Sequence, residues 1–213
     1  MPTLLNPGRL VALLVAVSFA AGLNLYITVA ALGQHGRFDV LQLPSGLAAL
    51  QQTWVIALAA GLAVVEFVAD KIPYFDLVWN ALHTFIRIPA AALLAYQASN
   101  QLSPDEHLLV TAVAAVVAGI SHTAKTSARV AVSASPEPVS NAVLSTSEDI
   151  GAAGLTWLAT VHPYVSAGIV VAVLLVLVLL VRQIVQGVRG VWARLQRGRP
   201  EPGRLAAEQR AQG

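Results

Sequence analysis

The side chains best equipped for chemistry in this sequence are ionisable groups set into apolar surroundings. In Val65-Glu66-Phe67-Val68-Ala69-Asp70, the two carboxylates are four residues apart and share one helix face. Asp76, Asn80, His83 and Arg87 follow at spacings of 4, 3 and 4, and His122, Lys125 and Arg129 at 3 and 4, so each set forms one polar stripe. Ser147, Glu148 and Asp149 form a further polar group. Arg87, Lys125 and Arg129 are suited to neutralising an anionic group. The carboxylates with His83 or His122 are suited to relaying protons or holding a cation. The plainer role for the same residues is a structural network pairing Glu66 or Asp70 with Arg87 or Arg129. Asn24 and Tyr26, beside Gly22, form a separate feature. There glycine allows close backbone approach, and Asn24 needs a hydrogen-bond partner, either across a helix contact or in the same cavity.

Other chemistries are poorly provided for. The chain has no cysteine, which removes disulfides, thiolate metal sites and cysteine nucleophiles. His122-Thr123-Ala124-Lys125 lacks the spacing of a zinc-protease helix, and no His cluster suggests a metal. Pro44-Ser45-Gly46-Leu47 is similar to the Pro-Ser-Gly-His element of membrane lipid phosphatases, but Leu47 stands where the histidine is required. No catalytic residue, metal or cofactor is therefore assigned.

The elements that must position these groups follow from composition. Of 213 residues, 56% are hydrophobic and 11% charged, and the mean hydropathy is +0.68. Soluble domains carry about 25% charged residues, so this surface suits lipid rather than water. The expected fold class is all-α, a polytopic membrane helix bundle of about six spans: Leu10–Leu32, Thr53–Ala69, Leu77–Ala98, His107–Thr123, Ala142–Thr160 and Tyr164–Val185. The first is long enough to cross the ~30 Å hydrocarbon core and reads as an uncleaved helix, not a signal peptide.

Charge sets the expected orientation. Seven of the 13 Lys and Arg residues (Arg182, Arg189, Arg194, Arg197, Arg199, Arg204 and Arg210) follow the most apolar stretch. This places a basic interfacial helix and a disordered tail, residues 186–213, against anionic lipid headgroups on the cytoplasmic side. Nucleic acid is not expected as a partner, despite a pI near 9.3. An even span count puts both termini in the cytoplasm, in a cell inner membrane, and the loop Ser99–Glu106, with no Lys or Arg, on the outside. Arg37 would also lie outside and runs against this orientation.

The halves echo one another. Ala21-Gly22-Leu23-Asn24 resembles Ala118-Gly119-Ile120-Ser121, Ala59-Ala60-Gly61-Leu62 matches Ala152-Ala153-Gly154-Leu155, and Pro73-Tyr74 matches Pro163-Tyr164, at offsets of 97, 93 and 90 residues. An odd number of spans per unit implies a 3+3 inverted repeat, residues 1–98 and 99–185, with a site between the halves. Segments 34–52 and 121–149 contain Leu43-Pro44-Ser45-Gly46 and Ser135-Pro136-Glu137-Pro138. They are too apolar for solvated loops and too broken for plain spans, so re-entrant hairpins are expected alongside ordinary interfacial loops.

The strings AAGLNLY (Ala20–Tyr26), VEFVADKIP (Val65–Pro73), HTFIRIPA (His83–Ala90) and SPEPVSN (Ser135–Asn141) carry a family likeness. Over about Ser18 to Val181 the chain resembles an uncharacterised family of small bacterial integral membrane proteins, known as a domain of unknown function. The resemblance implies a multi-span membrane protein and supplies neither a substrate nor a catalytic residue. Function must come from the polar residues. The leading expectation is a small transporter or permease for a solute, proton or ion, with homo-oligomers open to it. The alternatives are an intramembrane enzyme gripping a lipid-linked phosphate through Arg87, Lys125 and Arg129, and a non-catalytic scaffold.

Overall fold

The computed structural model describes residues 6–72, 75–133 and 138–197. The described residues are helical apart from short connections: α1 (Pro7–Leu23), α2 (Leu25–Arg37), a 3-10 turn (Ser45–Gln51), α3 (Thr53–Ala69), α4 (Phe75–Ala98), α5 (Pro104–Ser133), α6 (Pro138–Val161) and α7 (Pro163–Arg197). Four of these helices begin at proline, where the missing N–H has no intrahelical partner to lose and φ is already helical. In α1 the Asn6 side chain also accepts the Arg9 N–H at 2.8 Å. The chain divides into two compact units, Met1–Val171 and Ala172–Gly213.

Within the first unit the polarity of a soluble protein is reversed. Arg87, Arg129, Glu66, Asp70 and Asn80 are fully buried, whereas Val64, Val68, Leu82, Phe85, Leu93 and Leu108 are exposed. That arrangement is stable where the surrounding solvent is apolar. α1 packs against α5 and α6, α4 against α5, and α2 against α3 and α6. One core cluster joins Leu10, Leu14, Leu47, Ala95, Ala98, Val110 and Ala114; another joins Ala21, Leu25, Ala91 and Ala118. The second unit carries the distal part of α7, whose Leu175, Val176, Val178, Leu179 and Val181 are exposed.

Several expectations are revised. Three helical stretches, Val78–Ala98, Pro104–Ala131 and Pro163–Gly187, are long and apolar enough to cross a membrane; the bent pair Ser45–Gln51 and Thr53–Ala69 would make a fourth. Among the described residues, the expected spans that do not meet this length and hydropathy test are the fifth, in α6, and the first, which is not one helix. It breaks at Asn24 (φ −147°, ψ 105°), leaving α1 with 17 residues. Asn24 Oδ1 accepts the Ile27 N–H at 3.0 Å and so caps a new helix instead of continuing the old one.

In the segment 34–52, residues 34–37 end α2, the chain is then irregular up to the 3-10 turn, and that turn meets α3 at a bend of 68°. It packs tightly: Leu47 is buried, and a side chain at Gly46 would collide with the Gln97 carbonyl of α4. The segment 121–149 is not broken over its described residues. Residues 121–133 extend α5 and residues 138–149 begin α6, because a helix keeps its backbone groups satisfied where a loop cannot. Residues 134–137, with most of Ser135-Pro136-Glu137-Pro138, lie outside the described residues, as do Pro73-Tyr74 and the tail from Gly198. The basic stretch through Arg197 is helical and continuous with the last span.

The echoing segments of α1 and α5 lie directly on one another. A side chain at Gly22 would come within 2.5 Å of the Ala118 carbonyl oxygen and 2.7 Å of Ser121 Cβ. The Ser121 hydroxyl donates to the Phe19 carbonyl at 2.8 Å. The backbones differ there, since α1 ends at the break and α5 runs straight through Ser121.

Candidate functional site

The break at Asn24 leaves the last carbonyls of α1 without helical partners, and two cations meet them. Arg87 Nη1 donates to the Leu23 and Gly22 carbonyls at 3.2 and 3.4 Å, and Lys125 Nζ donates to the Leu23 carbonyl at 3.0 Å. Cations are favoured here for a second reason, the partial negative charge at a helix C-terminus.

Around this point four helices contribute charge. Glu66 and Asp70 come from α3 and its C-cap, Arg87 from α4, Lys125 and Arg129 from α5, and Glu148 from α6. Arg87 Nη2 pairs with Glu66 Oε1. Lys125 Nζ lies 3.1 Å from Glu66 Oε1, 3.4 Å from Asp70 Oδ2 and 3.5 Å from Glu148 Oε2. Arg129 Nη2 reaches Asp70 Oδ2 at 2.8 Å and Glu148 Oε2 at 2.5 Å, while its Nη1 donates to the Asp70 carbonyl at 3.0 Å. The α-helical repeat explains why one element supplies both cations: Lys125 and Arg129 are one turn apart and face the same side. Lys125 is the hub, touching three carboxylates on two helices.

Asp149 enters differently. Its Oδ1 accepts from Asn24 Nδ2 at 2.8 Å, so Asn24 caps α2 with one end of its amide and ties α6 to the break with the other. Among the described residues, Asp149 has no basic group within ion-pair distance, and its Oδ2 is buried without a hydrogen-bond partner. Glu66 Oε2 and Asp70 Oδ1 are likewise buried without partners.

The histidines line the cluster with defined polarity. A guanidinium can only donate, so the contact at 3.2 Å between Arg87 Nη1 and His122 Nδ1 makes Nδ1 the acceptor and puts the ring hydrogen on Nε2. That hydrogen faces Thr84 Oγ1 at 2.8 Å, and Thr84 donates onward to the Asn80 carbonyl at 3.2 Å. His83 has the opposite tautomer. Its Nδ1 donates to the Trp79 carbonyl at 2.7 Å, and its Nε2 accepts from the Tyr26 hydroxyl at 3.0 Å.

The structure therefore brings together Asn24, Glu66, Asp70, Arg87, His122, Lys125, Arg129, Glu148 and Asp149. His83 borders this set through Tyr26, and Asn80 is buried in α4 beside it. Asp76 lies in the first turn of α4 with its side chain outside the described residues. Ser147 is exposed and bonds back to the Leu144 carbonyl. Sequence reasoning did not identify Thr84 or the carbonyls of Gly22 and Leu23. A threonine one turn from Asn80 gives a faint signal; main-chain acceptors give none.

The cluster is buried, and the cavities described are lined by other residues. One of about 240 Å³ runs between α2, α3 and α4, lined by Leu25, Tyr26, Val29, Leu58, Leu62 and Leu93. Another, of about 270 Å³, lies between α1 and α5 and is lined mainly by Val11, Leu14, Leu109 and Val113. Among the described residues no group of three His, Asp or Glu side chains is placed to hold a metal ion.

A family model described as a domain of unknown function matches residues 11–183. No curated protein and no solved structure matches the chain.

Proposed function

The chain belongs to the DUF4126 family, and we propose that it is a small integral membrane transporter or permease whose site is the buried charge cluster at the α1–α2 break. The observation that carries this reading is the interrupted helix itself. Its unsatisfied carbonyls and its capping Asn24 meet Arg87, Lys125 and Asp149 within one network spanning four further helices. Helices broken at membrane depth, with their ends turned to buried charges, are the usual construction of solute and ion sites in secondary transporters. The burial of the cluster suits an occluded state. In this reading the apolar groove that Tyr26 lines, its hydroxyl on His83, is an approach from the lipid side.

The direct contact between the echoing segments at Gly22 and Ser121 supports a 3+3 inverted repeat with its pseudo-axis at this crossing. The basic stretch at the end of α7 supports a cytoplasmic C-terminus in a bacterial inner membrane. The phosphate-gripping enzyme is less well supported, because Arg87, Lys125 and Arg129 are all engaged by carboxylates or carbonyls. A scaffold remains the competing reading, favoured by the same dense pairing.

The test is flux in proteoliposomes across a broad panel of solutes and ions, comparing wild type with Glu66→Gln, Arg87→Ala and Lys125→Ala. Transport predicts wild-type flux that the variants lose while still folding. Variants that change only stability, with no flux in wild type, would establish the scaffold.

A further inference from the structure

We infer that Asp149 is the proton-binding residue of this molecule, taking up a proton on Oδ2 and thereby controlling the tie between α6 and the helix break at Asn24. This gives the coupling ion of the transport reading above and rests on that reading for its purpose; the protonation chemistry stands independently.

Charge matching singles out this carboxylate. Among the described residues, three buried cations, Arg87, Lys125 and Arg129, pair with three carboxylates, Glu66, Asp70 and Glu148, each of which has at least one cation within 3.5 Å. Asp149 is the fourth carboxylate of the cluster, 8% exposed, and no cation lies within 4.0 Å of it among the described residues. An uncompensated buried carboxylate is costly, and taking a proton relieves that cost. The oxygen that would receive it is available, since Oδ1 holds the Asn24 amide and Oδ2 has no partner.

The surroundings reinforce this. Lys125 of α5 and Glu66 and Asp70 of α3 and its C-cap act electrostatically on Asp149, as does Lys71, just beyond α3. Glu148, on the same helix, is held by Arg129, and Arg87 of α4 is held by Glu66 and the α1 carbonyls. Lys125 is thus shared among three other carboxylates. No metal-binding group is formed nearby among the described residues, so a single proton is the ligand that suits one free carboxylate oxygen.

Protonation has a structural consequence. As an anion, Asp149 holds the Asn24 amide through a charge-assisted hydrogen bond; neutralised, it holds it through an ordinary one, roughly half as strong. Asn24 is the residue that ends α1 and starts α2. A proton at Asp149 therefore loosens the only side-chain link described between α6 and the break.

The experiment is infrared difference spectroscopy of the full chain reconstituted in lipid, titrated with acid and base, with the proton as the only probe. The protonated-carboxyl carbonyl stretch should contain a band that titrates in wild type and is lost in Asp149→Asn. A wild-type-minus-variant spectrum with no such band overturns the assignment. Asn24→Ala, which keeps the acid and removes its donor, should shift the frequency and midpoint of the same band. An unshifted band overturns the link to the break, and this arm decides the matter if Asp149→Asn does not fold. Absence of solute flux in wild type would refute the transport reading without touching the band.

Discussion

Lys125 holds the cluster together because one ammonium sits within 3.5 Å of three carboxylates and also binds the Leu23 carbonyl. Replacing it with Met keeps the length and removes the charge, leaving buried carboxylates short of a partner. The expected loss is about 3–5 kcal/mol, the range for breaking one side of a buried pair, read as thermal unfolding in detergent. Adding Glu66→Gln to Lys125→Met should recover part of that loss, and full additivity of the two would show that they do not interact. Asn24→Ala removes a helix cap worth about 1 kcal/mol and also strips Asp149 of its donor, so the measured destabilisation should exceed that figure. At this scale the sequence was informative about which residues matter and silent about who pairs with whom. The spacings of Asp76, Asn80, His83 and Arg87, and of His122, Lys125 and Arg129, reveal shared faces because a helix has a fixed period. The direction in which each face points depends on helix rotation, which the spacing does not encode. For that reason Glu148 and Asp149, adjacent in the chain, could not be separated into a paired and a surplus carboxylate.

The elements differ in how much of their form was readable. α3, α4 and α7 fall close to their expected boundaries, because long apolar runs bounded by Pro or polar clusters leave few alternatives. The α1–α2 break was not readable, since it comes from an Asn side chain outcompeting the helix and not from Pro. α5 and α6 run beyond their expected bounds, to Ser133 and from Pro138, because polar residues in an apolar helix look like an interruption until their partners are known. Close approach at the α1–α5 crossing gives an element-scale prediction. Gly22→Val places a side chain against the Ala118 carbonyl and Ser121, and should cost about 1–3 kcal/mol as overpacking. Gly61→Ala in α3 meets nothing within 4 Å and should stabilise the helix by up to about 1 kcal/mol. Denaturation of both variants side by side checks the contrast; equal effects would mean that Gly22 is not in tight contact.

At the scale of the whole molecule, a buried charge network and an exposed apolar surface make stability insensitive to ionic strength. Raising salt from about 0.1 to about 1 M shortens the Debye length from about 10 to about 3 Å, yet the unfolding temperature should hardly move. A marked fall would place the ion pairs in contact with water. The absence of cysteine makes orientation straightforward to test. Under the proposed topology Gln101→Cys reacts with an impermeant maleimide from outside, and Arg189→Cys reacts only after permeabilisation; the reverse pattern would invert the orientation. The geometry of the cluster also bears on how the protein is made. Residues 1–98 supply Glu66, Asp70 and Arg87, so the first part synthesised carries two of the cluster's carboxylates and one of its cations. Lys125 and Arg129 emerge only later in translation. Until they arrive, Glu66 and Asp70 lack the buried cations that pair with them in the finished bundle, and the early helices are costly to settle deeply in lipid. Biogenesis therefore cannot proceed one finished half at a time: the second half completes the first, and a stalled or truncated chain should be a substrate for membrane quality control, not a stable intermediate.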